Sequence, residues 1–388
     1  MSRARGTRVY ILGAGCSKPS GYPLGDGFPV WLRKYAANLP DGSLKIQKSV
    51  EKTLDLLGRF KVDTLDHLVR LIEENLRDRS TLPADPAKWP FDDRLRNAGA
   101  LYDLADEQIN SAKTGTAAMF RHLEADAAEG KLPGYPSLME EIFGKGDWKE
   151  ALQRTDCHVL TFNYDRLFEM AFLEHFKESS PPLLVHDGNV LNSGLNGSTC
   201  DEVSITPGRF CFLKLHGSAG WWVQRGKGTR GVTECRCYHV DPVDGQPEGK
   251  INGAAFFPQP GTYPWEPLLT FPNEKQRALS DDPRDFYDIF FTRKVWDHAA
   301  TVLSGAEQVT VIGYSFNSID RHFVVKKLLS KATSCQEIVV SNPHAKTICR
   351  DLSEDCPKLQ KLLVPREEYF EQRCIERSAS QRPPEFGK

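Results

Sequence analysis

Five short runs of almost unbroken apolar and β-branched residues punctuate the chain: "RVYILGAG", "HVLTFNYD", "FCFLKLHGS", "QVTVIGYS" and "EIVVSNP". None alternates apolar with polar, which is the pattern of strands covered by helices on both faces. Each apolar stretch runs into Gly, Asn, Ser, His or Pro. Between the first and second lie more than a hundred residues of helical periodicity, exemplified by Leu65, Leu68, Val69, Leu71 and Ile72 in "VDTLDHLVRLIEENL". These features predict an α/β fold: a Rossmann-like, mainly parallel sheet with helices on both faces and a large helical insertion over about 30–155. From 188 to 283 Gly, Pro and Asn accumulate, predicting loop-rich insertions with some short strands, and loops of that length are more often functional than idle. Residues 1–350 are expected to form the main domain. Residues 351–388 read as a C-terminal extension whose last stretch, "ERSASQRPPEFGK", is too polar to pack.

Composition changes this picture little. At 388 residues and 40% hydrophobic content the chain can bury a sizeable core. A net charge of −2 without long single-sign runs predicts no nucleic-acid or anionic-membrane partner. No run approaches the roughly 18 apolar residues that span a bilayer, so a soluble, cytoplasmic protein is expected. The 10 cysteines form no CxxC pair and read as reduced thiols.

The candidate chemistry lies at the ends of the runs, where an open α/β sheet binds its ligand. In "GAGCSKPSGYP", Gly13 and Gly15 allow close backbone approach, and the following turn is expected to offer N–H groups to a pyrophosphate. The alternative is a glycine turn used only for packing, since a third glycine is missing from the dinucleotide fingerprint. No GxxxxGK[ST] occurs. Asn163 and Asp165 stand just past the second run, although a strand tip would be more stable without them. Asp165 either faces a ligand or caps the helix begun by "YDRLFEM". His216 in "KLHGS" is either a general base, with an ordinary pKa near 6.5, or a structural histidine. Gly313 and Ser315 in "GYSFNSID" and Asn342 after the fifth run suit phosphate or ribose hydroxyls. Asp63, Asp66 and His67 read as helix and cap positions, as do Asp320 and His322. For Trp221 and Trp222 the choice between groove and core stays open.

Taken together, "GAGCS", "TFNYD", "KLHGS", "GYSFNSID" and "SN", in this order and each at a strand end, resemble the sirtuin family over roughly residues 8–343. The resemblance implies NAD as ligand and substrate. Ala14, Gly15 and Ser17 would line the pyrophosphate and nicotinamide-ribose side, with Gly13 in the same turn. Asn163 and Asp165 would sit near the nicotinamide and its ribose, His216 would be the base, and Gly313, Ser315 and Asn342 would hold the adenosine half. Two departures distinguish the chain from protein-deacylating sirtuins. The zinc ribbon of two CxxC pairs is replaced by "ECRCYH", where Cys235, Cys237 and His239 are one ligand short of a closed site, so no metal is expected. The helical insertion also exceeds the deacylases' cofactor loop. Both departures resemble the sirtuin-like proteins of bacterial anti-phage systems, which implies an NAD glycohydrolase under control of assembly or a partner. A homo-oligomer built through the insertion is expected, and a partner ATPase of the HerA translocase type is one arrangement in that family. Two other classes stay in play: a catalytically silent nucleotide-binding module, and a protein deacylase or ADP-ribosyltransferase.

Overall fold

The computed structural model describes residues 6–39, 44–62, 64–65, 67–69, 71–72, 108–124, 127, 132–177, 210–224, 236–239, 265–271, 287–317 and 321–372. The strands are β1 (Arg8–Leu12), β2 (Cys157–Thr161), β3 (Phe212–Lys214), β4 (Gly217–Gln224), β5 (Arg236–His239), β6 (Trp265–Leu269), β7 (Gln308–Ile312), β8 (Glu337–Ser341) and β9 (Leu363–Arg366). The helices are α1 (Phe28–Ala37), α2 (Leu44–Phe60), α3 (65–72), α4 (108–124), α5 (Tyr135–Phe143), α6 (Trp148–Arg154), α7 (Leu167–Phe176), α8 (Tyr287–Ser304), α9 (Arg321–Lys327) and α10 (Ala345–Asp355).

Six strands form a parallel sheet in the order β3-β2-β1-β7-β8-β9. Counting only its own members, that order is 3-2-1-4-5-6, the doubly wound arrangement in which the chain reverses its direction of travel beside the first strand. Alternate residues of β1 serve two cores, as the unbroken apolar runs require. Tyr10 and Leu12 join a cluster with α1, α2, α4, α5 and α7, whereas Val9 and Ile11 join one with α8, α9 and α10. A separate antiparallel sheet, β5-β4-β6, follows directly on β3.

β9 is a strand that the apolar pattern does not announce, because Pro365 and Arg366 end it after two apolar residues. A proline is tolerated at this sheet edge, where no further strand needs its missing N–H. Beyond β9 the chain turns back, and Phe370 buries its ring edge-on against Tyr135 at 5.3 Å between centroids. The start of α3 is capped by Thr64, whose hydroxyl accepts the His67 N–H at 3.2 Å. Asp63 and Asp66 lie outside the described residues, as do Cys235 and Asp320. Cys237 and His239 belong to β5, Trp221 and Trp222 to β4, and His322 to the first turn of α9. Arg321 ties that turn to α10 through Asp351 and Asp355 at 2.9 and 2.8 Å. Among the described residues no helix is long and apolar enough to cross a membrane.

Burial pushes the Cys157 thiol up to about 12 and the Cys211 thiol up to about 11. Because the thiolate is the reactive form, both should resist alkylation in the native protein at pH 8. Mass spectrometry after iodoacetamide should show them modified more than about 100-fold more slowly than in denaturant. Comparable rates would mean that these strand ends open freely.

Candidate functional site

The loops after β1 and β7 meet at the point where strand order reverses, and they meet backbone to backbone. The Gly13 N–H donates to Ile312 O at 2.9 Å and the Gly15 N–H to Gly313 O at 2.8 Å. A Cβ on Gly13 would stand 2.5 Å from Tyr314 Cα, and one on Gly313, whose φ is +63°, would stand 2.6 Å from the Cys16 nitrogen. The glycines therefore serve packing between the loops. The N–H groups of Cys16 and Ser17 are also used, by Gly13 O and Ala14 O. Residues 14–20 form two three-residue 3-10 turns in place of the start of a regular helix, so of the N–H groups expected to face a pyrophosphate those of Gly15, Cys16 and Ser17 bond within the protein. The residues that the two loops present to solvent include Ala14, Lys18, Ser315 and Asn317. Between the loops, Phe316 is buried at a φ of +50°. A phenylalanine in that conformation is strained and needs its surroundings to hold it. Tyr314 supplies part of that hold, stacking on Phe162 at 4.2 Å and touching Phe316 at 4.5 Å.

The loop after β2 carries the polar centre. Asn163 Nδ2 donates to Gly13 O and to Ser17 Oγ, both at 3.0 Å. A carbonyl can only accept, so the contact with Gly13 fixes the orientation of the amide. Asn163 Oδ1, the other end, is buried without a partner among the described residues. The Ser17 hydroxyl donates in turn to Asp165 Oδ2 at 2.6 Å, and Asp165 Oδ1 accepts the Leu167 N–H at 3.1 Å. Asp165 thus accepts the first N–H of α7 and holds Ser17, with both oxygens engaged. Burial raises its pKa above the ordinary carboxylate value, partly offset by the nearby Lys214 ammonium and the Ser17 hydrogen bond.

His216 follows β3 as Asn163 follows β2. Thr161 and Lys214 are register partners, so each of the two residues stands two positions past a paired strand end on neighbouring parallel strands. The imidazole packs edge-on against Phe162 at 5.0 Å and is tilted against Tyr164 at 5.8 Å. Its backbone carbonyl accepts the Thr270 N–H at 2.9 Å, joining the small sheet to the site. Asn342, at the end of β8, makes an Asx turn ahead of α10. Its Oδ1 accepts the His344 N–H at 2.9 Å, and its Nδ2 reaches Tyr314 O at 3.5 Å. The structure therefore joins Gly13, Ser17, Asn163 and Asp165 in one hydrogen-bonded group. His216 stands beside that group on the neighbouring strand, and Asn342 faces the other loop across the sheet.

Four buried charges around this group escaped the sequence reading. Arg166 pairs with Glu124 of α4, its Nε lying 3.0 and 2.9 Å from the two carboxylate oxygens. Lys214 pairs with Glu169 of α7 at 3.0 Å and also donates to the Asp165 carbonyl. Burial holds the Glu169 carboxyl above its ordinary range against the pull of Lys214, and its Oε2 has no partner among the described residues. A signal was present: Glu169 is the one charge in "LFEMAFL" and Lys214 the one charge in "FLKL". A lone charge in a run buried on all sides needs an opposite partner.

Ser17→Ala should cost about 1–3 kcal/mol in denaturant unfolding, because it removes one acceptor from the Asn163 amide and the donor to Asp165 Oδ2. An unchanged midpoint would show that the network contributes nothing.

Fold and site define a doubly wound α/β protein with a polar centre above the carboxyl ends of its strands. No family model and no curated protein matches the chain. Similar solved structures include one on the structural basis of sirtuin substrate affinity, 14% identical with a TM-score of 0.38, covering 97% of this chain and 94% of that one. A Sir2 homologue in complex with NAD is 13% identical with a TM-score of 0.42, covering 96% and 90%. A mutant of a Sir2 homologue with ADP-ribose is 13% identical with a TM-score of 0.38, covering 97% and 94%. At these identities and scores the likeness transfers no residue role or activity to this chain.

Proposed function

We propose that this chain hydrolyses NAD to nicotinamide and ADP-ribose, with Asn163 and His216 as the residues that meet the reacting ribose. The observation that carries the proposal is the unpaired Asn163 Oδ1. A buried acceptor of this kind costs stability, roughly 1–3 kcal/mol, unless something donates to it. A ribose hydroxyl or an attacking water is such a donor.

The chemical demand is modest. The nicotinamide ring is cationic in the substrate and leaves as a neutral molecule when the N-glycosidic electron pair returns to it. The ribosyl carbon then carries oxocarbenium character, and water adds to it while losing a proton to a base. His216, beside Asn163 on the neighbouring strand, takes that proton in this reading, with general-base help worth about 10²–10⁴-fold. Asn163 orients the water or the ribose hydroxyl, and Asp165 acts through Ser17 by keeping the amide turned. Ala14 and Gly15 border the pyrophosphate path, and Gly313, Ser315 and Asn342 border the adenosine end.

In the cell this activity would deplete NAD as the effector of an anti-phage response, restrained by assembly of the chain or by a partner of the translocase type. These roles rest on the sequence resemblance. The test is product analysis with the purified chain at several protein concentrations. Equal amounts of nicotinamide and ADP-ribose with no acceptor protein present are expected, and a more than linear dependence on protein concentration would mark assembly as the switch. Nicotinamide release only in the presence of an acylated peptide would replace hydrolysis by deacylation. Bound but uncleaved NAD would leave a binding module.

A further inference from the structure

We infer that Lys214 is a positioning residue, whose ammonium clamps the Asn163–Asp165 loop to the strand that carries His216. The inference rests on the functional reading just given. It begins from the placement of the side chain. Lys214 is the last residue of β3, two before His216, and is 1% exposed. Its Nζ donates to the backbone carbonyl of Asp165 and pairs with Glu169 Oε1 at 3.0 Å, one turn into α7. A surface lysine would need none of this. A buried one is costly unless its donors are used, and here they are used on the loop whose position matters.

The consequence follows from the connections of Asp165. Its carbonyl is held from β3 by Lys214, and its carboxylate holds Ser17 in the loop after β1. Ser17 in turn holds the Asn163 amide, which also donates to Gly13 O. Lys214, Asp165, Ser17 and Asn163 thus form one chain of hydrogen bonds across the ends of three adjacent strands, β3, β2 and β1. Lys214 is its terminus on the strand of His216, so the distance between the two proposed reacting residues is set partly through its ammonium. Backbone bonds from Leu215 to Thr161 O and from Ala219 to Tyr164 O, both 2.8 Å, join the same elements without it. These keep the strands paired when the lysine is removed, but they do not reach the Asp165 carbonyl.

The experiment compares Lys214→Met, Glu169→Gln and the double replacement Lys214→Met with Glu169→Met. The double variant substitutes apolar side chains for a buried pair, a change that is often neutral or stabilising, so it carries the test even where the single lysine variant does not fold. Nicotinamide release is followed as a function of NAD concentration, and hydrogen exchange is measured on peptides covering 161–167. Loss of the clamp is expected to lower kcat about 10- to 100-fold with KM within about threefold, as a small misplacement of reacting groups does. It should also speed exchange at 163–166 in both lysine variants. Glu169→Gln retains the Lys214 contact with the Asp165 carbonyl and should stay within about threefold of wild type in both readouts. A folded lysine variant with wild-type kcat, or one with unchanged exchange at 163–166, overturns the clamp. So does a Glu169→Gln protein as impaired as the lysine variants, because the pair would then be structural. A wild type that releases no nicotinamide overturns the hydrolase reading instead, and exchange alone then decides the clamp.

Discussion

Replacing His216 by glutamine is expected to lower nicotinamide release about 10²–10⁴-fold while the protein remains folded, the range by which a positioned general base accelerates proton transfer. Glutamine keeps much of the volume that the imidazole fills between Phe162 and Tyr164. It also leaves the backbone bond between Thr270 and the carbonyl at position 216 intact. The titratable nitrogen is lost, together with the ring contacts to Phe162 and Tyr164. The check is steady-state nicotinamide release beside a thermal melt. A folded variant with more than about a third of wild-type activity would remove His216 from the chemistry and return it to a structural role between two aromatic rings.

The second large effect concerns the floor of the crevice. Gly313→Val should destabilise the fold by about 2–6 kcal/mol. Left-handed backbone costs a β-branched residue roughly 1–3 kcal/mol, and overpacking adds a similar amount. Gly313 has a φ of +63°, and a Cβ there would lie 2.6 Å from the Cys16 nitrogen and 2.8 Å from the Gly15 carbonyl carbon. Those neighbours are backbone, so they cannot rotate aside. The loops must part, which breaks the bond from Gly15 N–H to Gly313 O and shifts the Gly13 carbonyl on which the Asn163 amide rests. Activity should fall with stability. A variant with an unchanged denaturation midpoint would show that the two turns do not depend on their contact.

The legible part of this protein was the sheet and the polar residues above it. β1, β2, β7 and β8 come from runs so apolar that only a strand buried on both faces accommodates them, and the alternate burial of Val9 and Ile11 against Tyr10 and Leu12 is the reason. The ends of β2 and β3 are conspicuous because Asn163 and His216 follow apolar runs. Three things were hidden, each for a physical cause. β9 has only Leu363 and Val364 before Pro365, too little pattern to stand out, and it forms because β8 offers it an edge. The β5-β4-β6 sheet depends on pairing between segments far apart in sequence, which local periodicity does not register. The glycine turn reads alike whether its N–H groups face a ligand or bond within the protein, and only the fold brings Gly15 N–H to Gly313 O and folds Cys16 and Ser17 back on the turn itself. Asp165 shows the same limit, since its choice between ligand and helix cap turns on Ser17, 148 positions away in the chain.

The amide of Asn163 is turned by Gly13 O and Ser17 Oγ, and its oxygen is buried without a partner among the described residues. The most direct test is the rate of nicotinamide release from NAD by wild type and by Asn163→Ala, at equal concentrations of folded protein. Release by the wild type and loss of at least about 100-fold in the variant is the predicted result, the range expected when a reacting group is no longer oriented. Equal rates in two folded proteins would contradict it.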